Sequence, residues 1–121
     1  MNQIDLILDL LLEQELKVIE NMNDVLSSYS SIKTFSSRKN ITNGLTVYDD
    51  ISSNAAFVFK FPTEKMRSFH TMKMKFPIDI YFFNSNKELI SRYKNIKPGV
   101  RHISSKKPCK YVIEVKSNET K

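Results

Sequence analysis

The chain has 121 residues, 40% of them hydrophobic and 26% charged, with a formal net charge of +6, two glycines and a single cysteine. That length holds one domain and excludes a two-domain enzyme built on a cofactor fold. Two glycines exclude a glycine-rich phosphate loop, which needs several close backbone approaches. Cys109 alone excludes an intramolecular disulfide and any multi-cysteine zinc site.

The charge is unevenly spread. Residues 1–31 carry six acids (Asp5, Asp9, Glu13, Glu15, Glu20, Asp24) against one base, Lys17, a net of −5. Residues 32–121 carry 18 bases and seven acids, a net of +11. An acidic front segment is thus joined to a basic body, so either the two attract each other or each faces its own partner. The first apolar run has no basic leader and is interrupted by Asp5, Asp9 and Glu13, so neither a signal peptide nor a membrane span is expected. One cysteine suits a reducing compartment, and the expected location is cytoplasmic. Lys, Asn and Ile make up 37 of the 121 residues, the bias of AT-rich coding. It fits a low-GC bacterium, an organelle, or a large virus or phage, with host cytoplasm or virion as the setting in the last case.

Residues 3–28 read as one long amphipathic helix. Ile4, Leu8, Leu11, Leu12, Val18, Ile19, Met22, Val25 and Leu26 recur at three- and four-residue spacing with no Gly or Pro between them. Gln14, Glu15 and Asn21 break a strict heptad seam, so the helix reads as a rod docked on a surface rather than a long coiled coil. It would be roughly 39 Å long at the usual rise, against a body about 30 Å across. Its apolar face (Leu8, Leu11, Leu12, Ile19, Met22, Leu26) needs a cover, either the chain's own body or a partner protein. Serines crowd residues 27–37, which read as a connector with room for a short strand near Ile32–Phe35.

Beyond residue 55 the apolar period changes to two. Phe57, Phe59 and Phe61 alternate with Ala56, Val58 and Lys60, and Pro62 is expected to end the strand. Met72, Met74 and Phe76 alternate with Thr71, Lys73 and Lys75 up to Pro77. Residues 78–83 are apolar on both faces, as in an inner strand. Asn84–Lys87 reads as a turn, 88–94 as a returning strand, 97–99 as a second turn, and 111–115 as the last strand. The expected fold is α+β but mainly β: a small, partly open antiparallel barrel or sheet preceded by one long helix. The expected organisation is a helical appendage over 1–30, a connector over 31–37 and a β domain over 38–121.

Four pieces of sequence occur in order: Gly44-Leu45 with acids downstream; Phe57-Val58-Phe59 leading to Phe61-Pro62; Ser68-Phe69 followed by Pro77-Ile78-Asp79; and Lys107-Pro108-Cys109-Lys110-Tyr111-Val112-Ile113-Glu114-Val115. This succession resembles a bacterial family called domain of unknown function 192. That family shows a Gly-Leu-Met start, a Phe-Val-Phe strand, Phe-Trp-Met-Lys-Asn-Thr, Pro-Leu-Asp, and a closing Lys-Pro-Ala-x-Tyr-Val-Leu-Glu. The resemblance covers about residues 38–115 and implies a compact, mostly β, partly open barrel with no established reaction. Thr46 and Val47 stand where the family has Met-Arg. His70 to Met74 stand in place of Trp-Met-Lys-Asn-Thr, so the family's asparagine falls at Lys73. The sequence has no counterpart of the family's closing Gly-Asp hairpin, and its absence would leave a sheet edge open to a partner strand.

Candidate chemistry is sparse. Asp79 lies beside Tyr81 and Phe83 in an apolar strand. It would either anchor a ligand, in a pocket with Phe69, Arg67 and Lys73, or tie a loop by accepting backbone N–H bonds or pairing with Arg67 or Lys73. His70, His102, Cys109 and the Asp49–Asp50 pair lack metal-ligand spacing, and Cys109 stands where the family tolerates alanine, which a nucleophile cannot do. No catalytic residue, metal or cofactor is therefore assigned. The bases are 15 Lys and four Arg strewn along the chain. Lys73 with Lys75, and Lys106, Lys107 and Lys110, read as solvated strand faces before they read as a phosphate track, so nucleic acid is at most a weak partner. The expectation is a non-catalytic protein-binding or structural module of a larger assembly, contacting other protein chains through the front helix or a sheet edge. The alternatives are a small-ligand-binding domain and a non-specific nucleic-acid binder.

Overall fold

The computed structural model describes residues 21–118. A short helix α1 (Met22–Leu26) leads into strand β1 (Ser31–Phe35), helix α2 (Arg38–Asn43) and a 3-10 turn (Gly44–Val47). Strands β2 (Ala55–Lys65), β3 (Ser68–Phe69), β4 (Ile78–Phe83), β5 (Leu89–Ile96), β6 (Ile103–Ser104) and β7 (Cys109–Lys116) follow. Five of them form one sheet in the order β1-β2-β7-β4-β5, and β3 pairs with β6 in a separate two-stranded ribbon.

The mainly β expectation is correct, and three of its details are corrected. First, the large sheet is open rather than a barrel, and it is mixed: β1 runs parallel to β2, with Ser31 opposite Ala55 and Phe35 opposite Phe59. A parallel neighbour needs a crossover, and α2 with the 3-10 turn supplies it. Second, the long helix does not run unbroken through residue 28. Asn21 is extended (φ −96°, ψ 144°), bridges to Glu88, and caps α1 by accepting the Asn23 N–H at 2.8 Å. An asparagine whose side chain satisfies a free helix N–H starts a helix rather than continuing one. The predicted docking residues Leu8, Leu11, Leu12 and Ile19 lie outside the described residues. Third, residues 71–76 form turns instead of a strand. Thr71 explains this. Its N–H and C=O pair with Val100 and Gly99, while its hydroxyl donates to Lys97 O at 2.8 Å and accepts from Val100 N at 3.0 Å. A buried threonine pinned to the 97–100 turn cannot also run in a ladder.

Pro62 does not end β2 either. Lys60 faces Tyr111 but Lys65 faces Cys109, so residues 61–64 stand opposite the single Lys110. The proline's missing donor falls in this unpaired step, where it costs no ladder bond.

Alternation sorts the inner strands onto two faces. Phe57, Phe59, Phe61, Ile78, Ile80, Phe82 and Val112 point one way, into the larger core cluster. The ribbon, α2 and the 3-10 turn cover that side, delivering Phe69, Ile103, Ile41 and Leu45. Ala56, Val58, Tyr81, Phe83, Ile113 and Val115 point the other way, against Met22 with Val25, Leu26 and Tyr29. Because both faces are covered, β4 is buried along its whole length, as an inner strand should be.

Met22 is 6% exposed and seals the second face. Met22→Ala is expected to lower unfolding free energy by about 2–5 kcal/mol. Val47→Ala, at a side chain 65% exposed, should stay within about 0.5 kcal/mol. Urea denaturation of the two variants checks this.

Candidate ligand-binding cavity

A cavity of about 360 Å³ opens on the first face of the sheet. Three segments wall it. The α2–turn segment contributes Ile41 to Thr46, β2 contributes Phe59 and Phe61, and the start of the ribbon contributes Met66 to His70. Glu114 of β7 lies in its wall.

The sequence positions each wall by a local device. Ser37 starts α2 by accepting the Asn40 N–H at 3.1 Å. Gly44 ends it at φ 53°, ψ −138°, a backbone state that only glycine adopts without strain. A Cβ at Gly44 would sit 3.8 Å from the Phe59 ring, so conformation and not space requires the glycine. Phe69 stands edge-on to Phe59, Phe61 and Phe82 at ring separations of 5.9, 6.1 and 5.7 Å. This is the favoured geometry for aromatic pairs, and it pins the ribbon over the sheet.

Arg67 is held in three ways. Its guanidinium stacks 3.7 Å from the Phe61 ring centroid, donates through Nη2 to Thr63 O at 2.6 Å, and donates through Nε to Cys109 O at 3.4 Å. Its backbone exchanges bonds with Ser105. The guanidinium also reaches the Cys109 thiol, which leaves part of its five N–H donors for other groups. His70 accepts the Met72 N–H at Nδ1, 3.3 Å away. In the neutral ring this leaves Nε2 as the donor.

Glu114 is the unusual residue. By alternation it shares the apolar face with Val112, and it sits directly between Phe57 on β2 and Ile80 on β4. It is 6% exposed. Desolvation pushes its carboxyl up to about 8, with no compensating charge or hydrogen bond from the described residues. At neutral pH it is therefore a buried carboxylic acid carrying a proton. Buried polar groups normally have partners, and here the open side is the cavity.

The sequence-derived candidates separate. Phe69 and Arg67 do line the cavity. Lys73 is exposed in the 71–76 turns and Asp79 is on the opposite face of the sheet. Asp79 instead satisfies a β-bulge. Ile78 faces Ile96 but Ile80 faces Tyr93, so Lys94 and Asn95 both oppose Asp79. Asn95 takes φ 51°, and its N–H, freed by the bulge, donates to Asp79 Oδ1 at 2.7 Å. Lys94 Nζ reaches Asp79 Oδ2 at 3.3 Å and the Tyr81 hydroxyl at 3.1 Å. Asp79 thus ties backbone, through Lys94 and Asn95 rather than Arg67 or Lys73. Asp49 and Asp50 are each engaged by a lysine, Lys75 at 2.7 Å and Lys116 at 3.0 Å, which holds both carboxyls below their ordinary range. Burial pushes the Cys109 thiol up, away from a reactive thiolate. Among the described residues, no three of His, Cys, Asp and Glu converge as a metal site. No helix among them is long and apolar enough to cross a membrane.

The DUF192 family, described as uncharacterized ACR, matches residues 18–121. This chain belongs to it. The DUF192 match starts well before residue 38, so α1 and β1 fall within the family's span. No curated protein matches in sequence. Two solved structures share the fold. One is a proposed transcription regulator from Sinorhizobium meliloti 1021, at TM-score 0.67 and 18% identity over 71% of this chain and 67% of that one. The other is a protein of unknown function from Novosphingobium aromaticivorans DSM 12444, at TM-score 0.67 and 16% identity over 72% of this chain and 63% of that one. The chain spans about two thirds of their length.

The motif pieces Gly44-Leu45, Phe57-Val58-Phe59, Ser68-Phe69 and the closing run each contribute a residue to the cavity wall: Gly44, Leu45, Phe59, Ser68, Phe69 and Glu114. Sequence reasoning missed Glu114. No local signal marks it, because both faces of the last strand carry apolar residues, Val112 on one and Ile113 and Val115 on the other.

Two measurements test these roles. Asp79→Ala strands the Asn95 N–H and should cost about 1–3 kcal/mol in denaturant unfolding. For Glu114 the folded-state pKa lies above the unfolded one of 4.5, so the native state binds more protons than the unfolded state between the two. The contribution of Glu114 to stability is then fully present below about 4.5 and is lost as pH rises through about 8, by an amount on the order of a few kcal/mol. Glu114→Gln should remove that share of the decline when unfolding free energies at pH 5 and pH 8.5 are compared.

Proposed function

We propose that this domain binds a small organic ligand in the cavity between the Gly44 turn, the Phe59–Phe61 strand and the Arg67–His70 segment. One observation carries the reading: a desolvated carboxyl, Glu114, with no hydrogen-bond partner among the described residues, in the wall of a cavity that three phenylalanines help to line. A concave site that combines aromatic walls with convergent polar groups, one of them strongly perturbed, is a common form of ligand site. The volume, about 360 Å³, suits a molecule of modest size.

This reading takes precedence over a subunit in a phage or other assembly. Of the helix residues proposed to dock a partner, Met22 and Leu26 pack on the chain's own sheet, and the others lie outside the described residues. The basic surface offers little support for nucleic acid. Lys75 is engaged by Asp49, while Lys106 and Lys110 lie over Tyr93 and Tyr111. The proposal concerns binding, and no bond-making step is assigned.

Ser68 is exposed at the mouth of the cavity, so Ser68→Trp should block entry without disturbing the core. In an NMR screen of a small-molecule fragment library, hits are expected to shift Leu45, Phe59 and Phe69 resonances. Ser68→Trp should weaken them at least tenfold at an unchanged melting temperature. Hits that cluster elsewhere, or that bind the blocked variant as well as wild type, would refute the assignment.

A further inference from the structure

The cavity has two poles, and their separation restricts what can fill it. Glu114 stands opposite Phe57 across the β2–β7 ladder, and the Arg67 guanidinium lies over Phe61. Phe57 and Phe61 are four residues apart on one strand, about 13 Å at the usual rise. Phe59 and Phe69 supply apolar wall to the same cavity, which Thr42, Asn43, Ser68 and His70 also line.

The poles differ in kind. Arg67 is a cation, and its guanidinium keeps N–H donors beyond those given to Thr63 and Cys109. Glu114, in its protonated state, offers an O–H for which the described residues provide no acceptor. Both poles therefore offer hydrogen-bond donors, one charged and one neutral. An ammonium group at Glu114 would have to ionise a desolvated carboxyl, in a cavity that already contains a guanidinium and a body with a net charge of +11 over residues 32–121.

We infer that the ligand is a slender organic carboxylate: its anionic end is taken by Arg67, its apolar middle lies along Phe59 and Phe69, and a carbonyl oxygen at its far end accepts the Glu114 proton. This rests on the binding reading above and deepens it. The backbone positions beside the two poles are about 13 Å apart, so a ligand with a short alkyl chain between its polar ends is the probe to use.

The experiment uses four probes on the full chain by calorimetry: 6-oxoheptanoate with both poles, heptanoate without the carbonyl, 2-heptanone without the carboxylate, and 6-aminohexanoate with a cationic far end. The keto acid is expected to bind at least tenfold more tightly than each of the others. Arg67→Met should erase its advantage over 2-heptanone. Glu114→Gln, which keeps a donor, should retain binding, whereas Glu114→Leu should reduce the keto acid to the level of heptanoate. Affinity for the keto acid should fall as pH rises past 8, where Glu114 loses its proton. Tighter binding of 6-aminohexanoate that is abolished in Glu114→Gln would overturn the inference in favour of a cation site. So would four equally weak probes while library fragments still occupy the cavity, and in both cases the binding reading would survive. If neither probes nor fragments enter the cavity, both readings fail.

Discussion

A sheet covered on both faces leaves nowhere for a polar side chain to reach bulk water, and the rest of this structure answers to that constraint. The middle strand β7 is flanked by β2 and β4 from Tyr111 to Val115, so the side chains of residues 112 to 115 each enter one apolar layer or the other. Val112, Ile113 and Val115 satisfy the rule directly. Glu114 does not, and it is found where the covering layer leaves a cavity. A carboxyl in that position is tolerable only if it stays neutral or meets a partner, and burial alone keeps it neutral to about pH 8.

The same constraint explains the treatment of Asp79, with the opposite result. It too is buried in a strand covered on both faces. Here the protein supplies the partners: a bulge in β5 turns the Asn95 N–H toward one carboxylate oxygen, and Lys94 leans over the other. Two buried acids thus sit on opposite faces of one sheet. One is consumed by the fold and the other is left available. The contrast separates a structural carboxylate from a candidate binding group without any appeal to position in a motif. The half-exposed lysine adds little to the stability of the Asp79 cluster, because its charge is screened by water. The backbone bond is the stronger tie.

Much of the β body was legible in the residues. The Phe57–Phe61 alternation, the largely apolar 78–83 run and the closing Lys107–Val115 motif each point to a strand, because their apolar residues fall at strand spacing. The 71–76 segment shows the limit of that signal. Met72, Lys73 and Met74 alternate as well as any strand, yet the hydrogen bonds of Thr71 to the 97–100 turn bend the chain away from a ladder. Asn21 shows a similar limit for helices: its neighbours continue the 3.6-residue pattern, but its bridge to Glu88 and its capping bond start a new element. Phe69 and Arg67 were identifiable as site residues from the Ser68-Phe69 motif and its flanks. Glu114 was passed over because nothing local distinguishes an inward acid from an outward one until the strand's face is known.

By itself the sequence determined most of the pleated segments, which positions share a face of each strand, and that the front is acidic and the body basic. These follow from local periodicity and composition, which need no knowledge of neighbours, while the order of its motif pieces carried the resemblance to DUF192. Only the tertiary structure decided the strand order, the parallel placement of β1, the covering of the second face by Met22, and the pairing of Asp79 with a bulge. It also decided that Glu114 and Arg67 line the same cavity. Those features depend on contacts between residues far apart in the chain. Burial and desolvation are properties of what surrounds a side chain, not of the residues beside it in sequence.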